Sequence, residues 1–139
     1  MGERSPSSLP VGNETVLLVE DEVMLRRLFC EILEMNGYTV LEAANGREAL
    51  QLCERYTGRI HLLITDVVMP LMCGRELAEQ LLQREPELKV IFMSGYTDDA
   101  QVLRSISSEG AMFIQKPFAP EALESKIREA LAQQPPSQA

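Results

Sequence analysis

The sequence predicts a doubly wound α/β fold, a (βα)5 three-layer sandwich around a five-stranded parallel sheet. Three observations lead there. Short apolar runs of strand length alternate with longer segments of helical period, five times in succession. Three of those runs, at 15–20, 60–65 and 88–93, are nearly continuous in apolar residues, the pattern of strands buried on both faces. Size and composition suit a single core: 139 residues, 45% hydrophobic and 24% charged.

In chain order, TVLLVE (15–20) is the first strand. Residues 22–37 set Leu25, Leu28, Phe29 and Ile32 at helical spacing, and Gly37 is the stop. YTVLEA (38–43) is β-rich, and residues 45–56 read as helix. IHLLIT (60–65) is the third strand. Residues 74–85 put Leu77, Leu81 and Leu82 on one face, and Pro86 ends them. LKVIFM (88–93) is the fourth strand. Residues 97–110 form a weaker helix, with three serines and a thin apolar stripe of Val102, Leu103 and Ile106. That is the composition expected of a mobile element, and equally of a merely poor edge helix. AMFIQ (111–115) is a short strand, and Pro120 opens a last helix to 133. Residues 1–13 read as linker or appended residues without fold, and 134–139 as a flexible tail.

The formal net charge of -8 repels nucleic-acid phosphates and anionic membrane surfaces, so neither is an expected partner. Cys30, Cys53 and Cys73 lie far apart with no CxxC spacing, which argues against zinc or dithiol chemistry. An odd cysteine count without a secretory segment points to a reducing compartment, and no apolar run approaches the ~18 residues of a membrane span. The expected location is the cytoplasm.

In an open parallel sheet, ligands sit beyond the carboxyl ends of the strands. Here those ends carry chemistry. The first strand runs into Glu20 and Asp21, the third into Asp66, the fourth into Ser94, and the fifth into Lys116 and Pro117. Taken alone, Asp21 or Asp66 is as readily a helix N-cap, Ser94 a turn residue and Lys116 a solvated lysine. Together they gather three carboxylates that would raise one another's pKa unless a cation intervenes. Oxygen ligands and open positions suit Mg2+, and three acids, Lys116 and one divalent ion sum to zero charge. His61, the only histidine, falls at a strand start away from this rim and reads as structural.

The succession VLLVEDE, LLITDVVMP, MSGY and QKPF resembles the receiver domain of two-component signalling, over about residues 14–133. The resemblance implies a flavodoxin-like strand order 2-1-3-4-5. It implies that Asp66 accepts a phosphoryl group from a phosphohistidine of a histidine kinase or histidine phosphotransfer domain, with Mg2+ (or Mn2+) as cofactor. It makes Asp21 the principal metal acid, Glu20 a second acid acting through water, and the backbone carbonyl of Val68 a further ligand. Lys116 pairs with Asp66 and then with the phosphoryl oxygens, Ser94 is the switch hydroxyl and Phe113 the switch aromatic. Val68 and Tyr96 flank the phosphoryl group and tune its hydrolysis; an apolar Val68 implies slow loss.

The signalling face would be helix 97–109, strand 111–115 and helix 120–133, through which a homodimer could form. The domain itself would be a phosphoacceptor with self-phosphorylation and self-dephosphorylation chemistry, not a kinase. Three residues depart from the commoner pattern: Glu20 for aspartate, Ser94 for threonine, and Phe113 for tyrosine. No output domain follows the last helix within these residues, so a stand-alone receiver, a piece of a regulator and the receiver of a hybrid sensor kinase all fit. The wording of FMSGYTDDA and QKPF favours the hybrid kinase, whose parent protein could be membrane-anchored. The alternatives outside the family are a flavodoxin-like binding module and an aspartyl-nucleophile phosphatase. The first lacks a phosphate-holding loop after strand one, and the second lacks an acid at position 68.

Overall fold

A computed structural model describes residues 14–69, 71–95 and 112–132. In chain order they form β1 (Thr15–Val19), α1 (Val23–Met35), β2 (Thr39–Ala43), α2 (Gly46–Arg55), β3 (Leu62–Asp66), α3 (Gly74–Arg84), β4 (Lys89–Ser94), β5 (Met112–Gln115) and α4 (Pro120–Ala132). The expected helix at 97–109, Tyr96 and both terminal segments lie outside the described residues.

The strands pair in the order β2-β1-β3-β4-β5, all parallel. Strand pleating sends alternate residues to opposite faces. Val16, Leu18, Leu62, Ile64, Ile91 and Met93 therefore meet α1 and α4 through Phe29, Leu33, Leu123 and Ile127. Leu17, Val19, Leu63 and Phe92 meet α2 and α3 through Ala49, Leu77, Ala78 and Leu81. β1 and β3 are buried at every position, which is why their sequences carry no polar alternation. β2 and β5, at the sheet edges, are only partly covered.

The helices begin and end for local reasons. Asn45 caps α2 by accepting from the Glu48 N–H at 2.9 Å, while Glu48 reaches back to the Ala44 N–H at 2.8 Å. α1 closes with the Gly37 N–H on Glu34 O and the Tyr38 N–H on Leu33 O, and Gly37 takes the required positive φ of 92°. His61 is structural: its Nδ1 accepts the Thr15 N–H at 3.0 Å and so joins the starts of β1 and β3.

Two expectations need correction. Leu28 is 49% exposed, because the buried stripe of α1 is Phe29, Cys30, Ile32 and Leu33. Leu82 is 36% exposed for the same reason on α3, whose inner face is Gly74, Leu77, Ala78 and Leu81. An apolar stripe wider than the covered face leaves spacing alone unable to say which edge is buried. The alternative reading of Asp21 or Asp66 as an N-cap is not what the structure shows; those places belong to Glu22 and Cys73.

Gly74 starts α3 directly beneath the end of β3. Its N–H donates to Val67 O at 2.8 Å, and a Cβ there would collide with the Asp66 carbonyl oxygen. Since the obstacle is backbone, it cannot swing aside. Gly74→Ala should lower stability by about 1–3 kcal/mol, read from the denaturant midpoint. A midpoint equal to wild type would mean that the loop from Asp66 to Gly74 is not pinned as described.

Candidate functional site

The winding of the sheet reverses between β1 and β3, which opens a crevice at their carboxyl ends. Glu20 prolongs β1 by donating its N–H to Ala43 O at 3.1 Å, and its side chain is turned inward, 1% exposed. Asp21, next along, is exposed. Asp66 is the last residue of β3 and not a residue beyond it; it lies opposite Met93 of β4 and is 4% exposed. The Val67 N–H then donates to Met93 O at 3.0 Å, which fixes the peptide after the aspartate.

Ser94 ends β4 and is buried. Its carbonyl accepts the Lys116 N–H at 2.8 Å, and the Lys116–Pro117 peptide is cis. This anchor lets the Lys116 side chain reach across the sheet ends. Its Nζ lies 2.8 Å from Asp66 Oδ1 and 3.0 Å from Glu20 Oε1. Glu20 Oε2 accepts the Glu22 N–H at 3.0 Å, so both of its oxygens are engaged. Asp66 Oδ2 is buried and has no hydrogen-bond partner among the described residues.

Carboxylate oxygens of Glu20, Asp21 and Asp66 lie within 4.8 Å of one another. One orphaned buried oxygen beside an exposed aspartate fits an octahedral cation that keeps several waters. Fully engaged by Lys116 and the Glu22 N–H, Glu20 fits a role at one remove from the ion. Burial pushes the Asp66 carboxyl up to about 7; Lys116 opposes the rise and Glu20 adds to it. For Lys116, burial lowers the pKa, but its bonds to Asp66 and Glu20 outweigh this and hold the ammonium above its ordinary value.

Around this centre, Val68 is exposed at the mouth, while Val67 and Met69 turn inward. Leu71 adopts a positive φ of 75° in the same loop. Phe113 of β5 is half-buried and rests on Phe92, ring centroids 5.7 Å apart. The rim thus assembles Glu20, Asp21, Asp66 and Lys116 in one cluster, with Ser94 joined to it through the Lys116 N–H, Val68 two residues past Asp66 in the chain, and Phe113 on the flanking strand. Two residues that bear on the site carried no sequence signal of their own. Gly74 could have been a simple helix start. Arg26, whose Nη1 donates to Glu20 O at 2.8 Å, reads as one more charged position on a helix.

Residues 16–128 match the family described as the response regulator receiver domain, and the chain belongs to that family. It is 41% identical over 124 residues to the sensor kinase CckA of Brucella abortus (strain 2308), covering 88% of this chain and 13% of the kinase. With the chemotaxis protein CheY of Thermotoga maritima it shares 35% over 118 residues, 84% of this chain and 92% of CheY. Among solved structures, the receiver domain from the hybrid histidine kinase CckA matches with a TM-score of 0.70 and 35% identity, covering 84% of this chain and 98% of that one. The chain spans 13% of the kinase and at most half of several other curated relatives. Membership sets aside the flavodoxin-like module and the aspartyl phosphatase. Receiver domains of two-component systems work with histidine kinases or phosphotransfer partners, and no described helix is long and apolar enough to cross a membrane.

A carboxyl whose folded pKa lies above its unfolded value binds more protons when folded. Its contribution is complete below the unfolded pKa and is lost as pH rises through the folded one. Metal-free protein should therefore lose stability between about pH 4 and 7 because of Asp66. Asp66→Asn should be the more stable form at pH 8, by on the order of 2 kcal/mol, and lose that advantage at pH 5. Paired denaturant melts at the two pH values measure this; an equal offset at both would refute the raised pKa.

Proposed function

We propose that the unit formed by residues 14–133 takes a phosphoryl group from a phosphohistidine onto Asp66. The observation that carries this reading is the state of Asp66: a buried strand-end carboxylate, held on one oxygen by Lys116 and unpartnered on the other, beside two further acids. Asp21, Asp66 and the Val68 carbonyl would hold Mg2+ (or Mn2+), with Glu20 acting through water. The bound ion supplies charge neutralisation to the transferred group.

In the reaction an Asp66 oxygen forms the O–P bond while the N–P bond of the donor breaks. The electron pair stays on the imidazole nitrogen, which takes up a proton. Little covalent help is needed, because such transfers depend on alignment and neutralisation. Lys116 keeps the carboxylate oriented and moves its donors to the phosphoryl oxygens. Ser94 donates its hydroxyl to the new group, and Phe113 follows inward. The change would be read on the face formed by residues 97–109, β5 and α4, where a homodimer could form. Val68 offers no polar atom from its side chain to orient water, and with Tyr96 it would keep self-dephosphorylation slow. The identity to CckA supports a place within a cytoplasmic portion of a hybrid sensor kinase, whose parent could be membrane-anchored, with no direct contact to nucleic acid.

Intact mass after incubation with a small-molecule phosphodonor tests the reading. Wild type should gain one phosphoryl group, and should fail to do so after chelation of divalent cations or as Asp66→Asn. Lys116→Ala should retain metal binding but take up phosphate at least about a hundredfold more slowly. Uptake by Asp66→Asn, or none by wild type with Mg2+, would sink the assignment of Asp66.

A further inference from the structure

The acid-bearing turn after β1 has a structural problem. Glu20, Asp21 and Glu22 are consecutive, so three like charges crowd the turn that leads into α1, with Glu22 at its N-cap position. No side chain caps this helix. The positive helix end offsets part of that repulsion, but it does not fix the direction in which each carboxylate points.

One cation does reach the turn from within α1. The guanidinium of Arg26, mostly buried, donates from Nη1 to the Glu20 carbonyl oxygen at 2.8 Å. Its Nε faces Glu42 Oε1 of β2 at 3.5 Å. Glu42 is itself held on its other oxygen, Oε2, by the Cys30 thiol at 3.2 Å. Burial, reinforced by Glu42, pushes that thiol up to about 12, so it stays protonated as the donor. The Arg26 backbone N–H also donates to Glu22 O, at 2.9 Å. The peptide leading into Asp21 is thus held on one side by the Arg26 side chain. The residue after Asp21 is held by the Arg26 backbone and, through its own N–H, by Glu20 Oε2.

We infer that Arg26 is a positioning residue for the metal site: its fork, braced by Glu42 and Cys30, orients the Glu20–Asp21 peptide and so aims the Asp21 carboxylate. The inference rests on the proposed metal role of Asp21. It does not assign Arg26 any contact with the ion or with substrate. A planar guanidinium can serve the carbonyl and the carboxylate at once, which a lysine ammonium on a single flexible stem cannot do in the same geometry.

Charge and position predict opposite signs here. If Arg26 acted only as a nearby positive charge, its removal would relieve repulsion and tighten Mg2+ binding. As a positioning group, its removal loosens Asp21 and weakens binding. Calorimetric titration of Mg2+ into wild type, Arg26→Met and Arg26→Lys decides between them, with thermal melts at zero metal to establish folding. The expected result is about tenfold weaker binding for Arg26→Met, and a partial loss for Arg26→Lys although its charge is kept. Unchanged or tighter binding by Arg26→Met overturns the inference. Should Arg26→Met fail to fold, Arg26→Lys carries the test, and wild-type affinity there overturns it. If wild type binds no Mg2+, the metal reading itself fails, which is a separate outcome.

Discussion

The Lys116 ammonium between Glu20 and Asp66 is the interaction on which the rim depends. Two buried carboxylates share a single cation, 3.0 and 2.8 Å away. A buried charge left unpaired costs several kcal/mol, so neither acid could be this deeply enclosed without it. The compensation is still incomplete. Burial, with Glu20 adding to it, still raises the Asp66 pKa against the pull of Lys116, and its Oδ2 has no hydrogen-bond partner among the described residues. Much of the surrounding architecture serves to deliver this lysine. Ser94 O takes the Lys116 N–H, the turn after β5 sets the direction, and the β4–β5 register sets the height.

The tension can be tolerated because it sits on rigid ground. Every charged or hydroxyl group of the cluster except Asp21 either ends a strand of the parallel sheet or stands one residue past it, and β1 and β3 are buried along their whole length. Packing on both faces supplies the favourable free energy that offsets the strained end, as is common where function requires unfavourable local chemistry. The same packing limits how far the rim can relax. The end of Asp66 is pinned by Met93 O on one side and closed over by Gly74 on the other.

The sheet was legible because parallel strands write themselves as dense apolar runs, and the rim was legible because each run stops at a polar residue. TVLLV ending in Glu20 and LLIT ending in Asp66 need no third dimension to be noticed. Helix faces were read less well. Leu28 and Leu82 lie at core spacing and yet open to solvent, since the stripe says nothing about how wide the covering surface is. Contacts that join backbone atoms to distant side chains left no trace at all. Arg26 on the Glu20 carbonyl and Gly74 against the Asp66 carbonyl are both of this kind, because a carbonyl oxygen has no residue identity to read.

The metal-free charge pattern also explains why such a site would respond to one added group. An isolated surface carboxylate has its counter-charges in water, and adding a phosphoryl group there changes little beyond its immediate surroundings. Asp66 has no such reservoir. Its nearby cation is already divided with Glu20, and its free oxygen faces the acid cluster. A further negative charge on Asp66 must redraw the contacts of Lys116, because the ammonium cannot serve the new oxygens and both old partners equally. Lys116 is tied by its backbone to Ser94, and Ser94 lies beside Gln115 at the end of the β4–β5 pair that carries Phe113. A redistribution that begins as electrostatics at one lysine therefore has a short mechanical path to the edge of the sheet. In the function proposed above that path would lead toward β5, because Lys116, the only cation in contact with Asp66 among the described residues, is held there by its backbone.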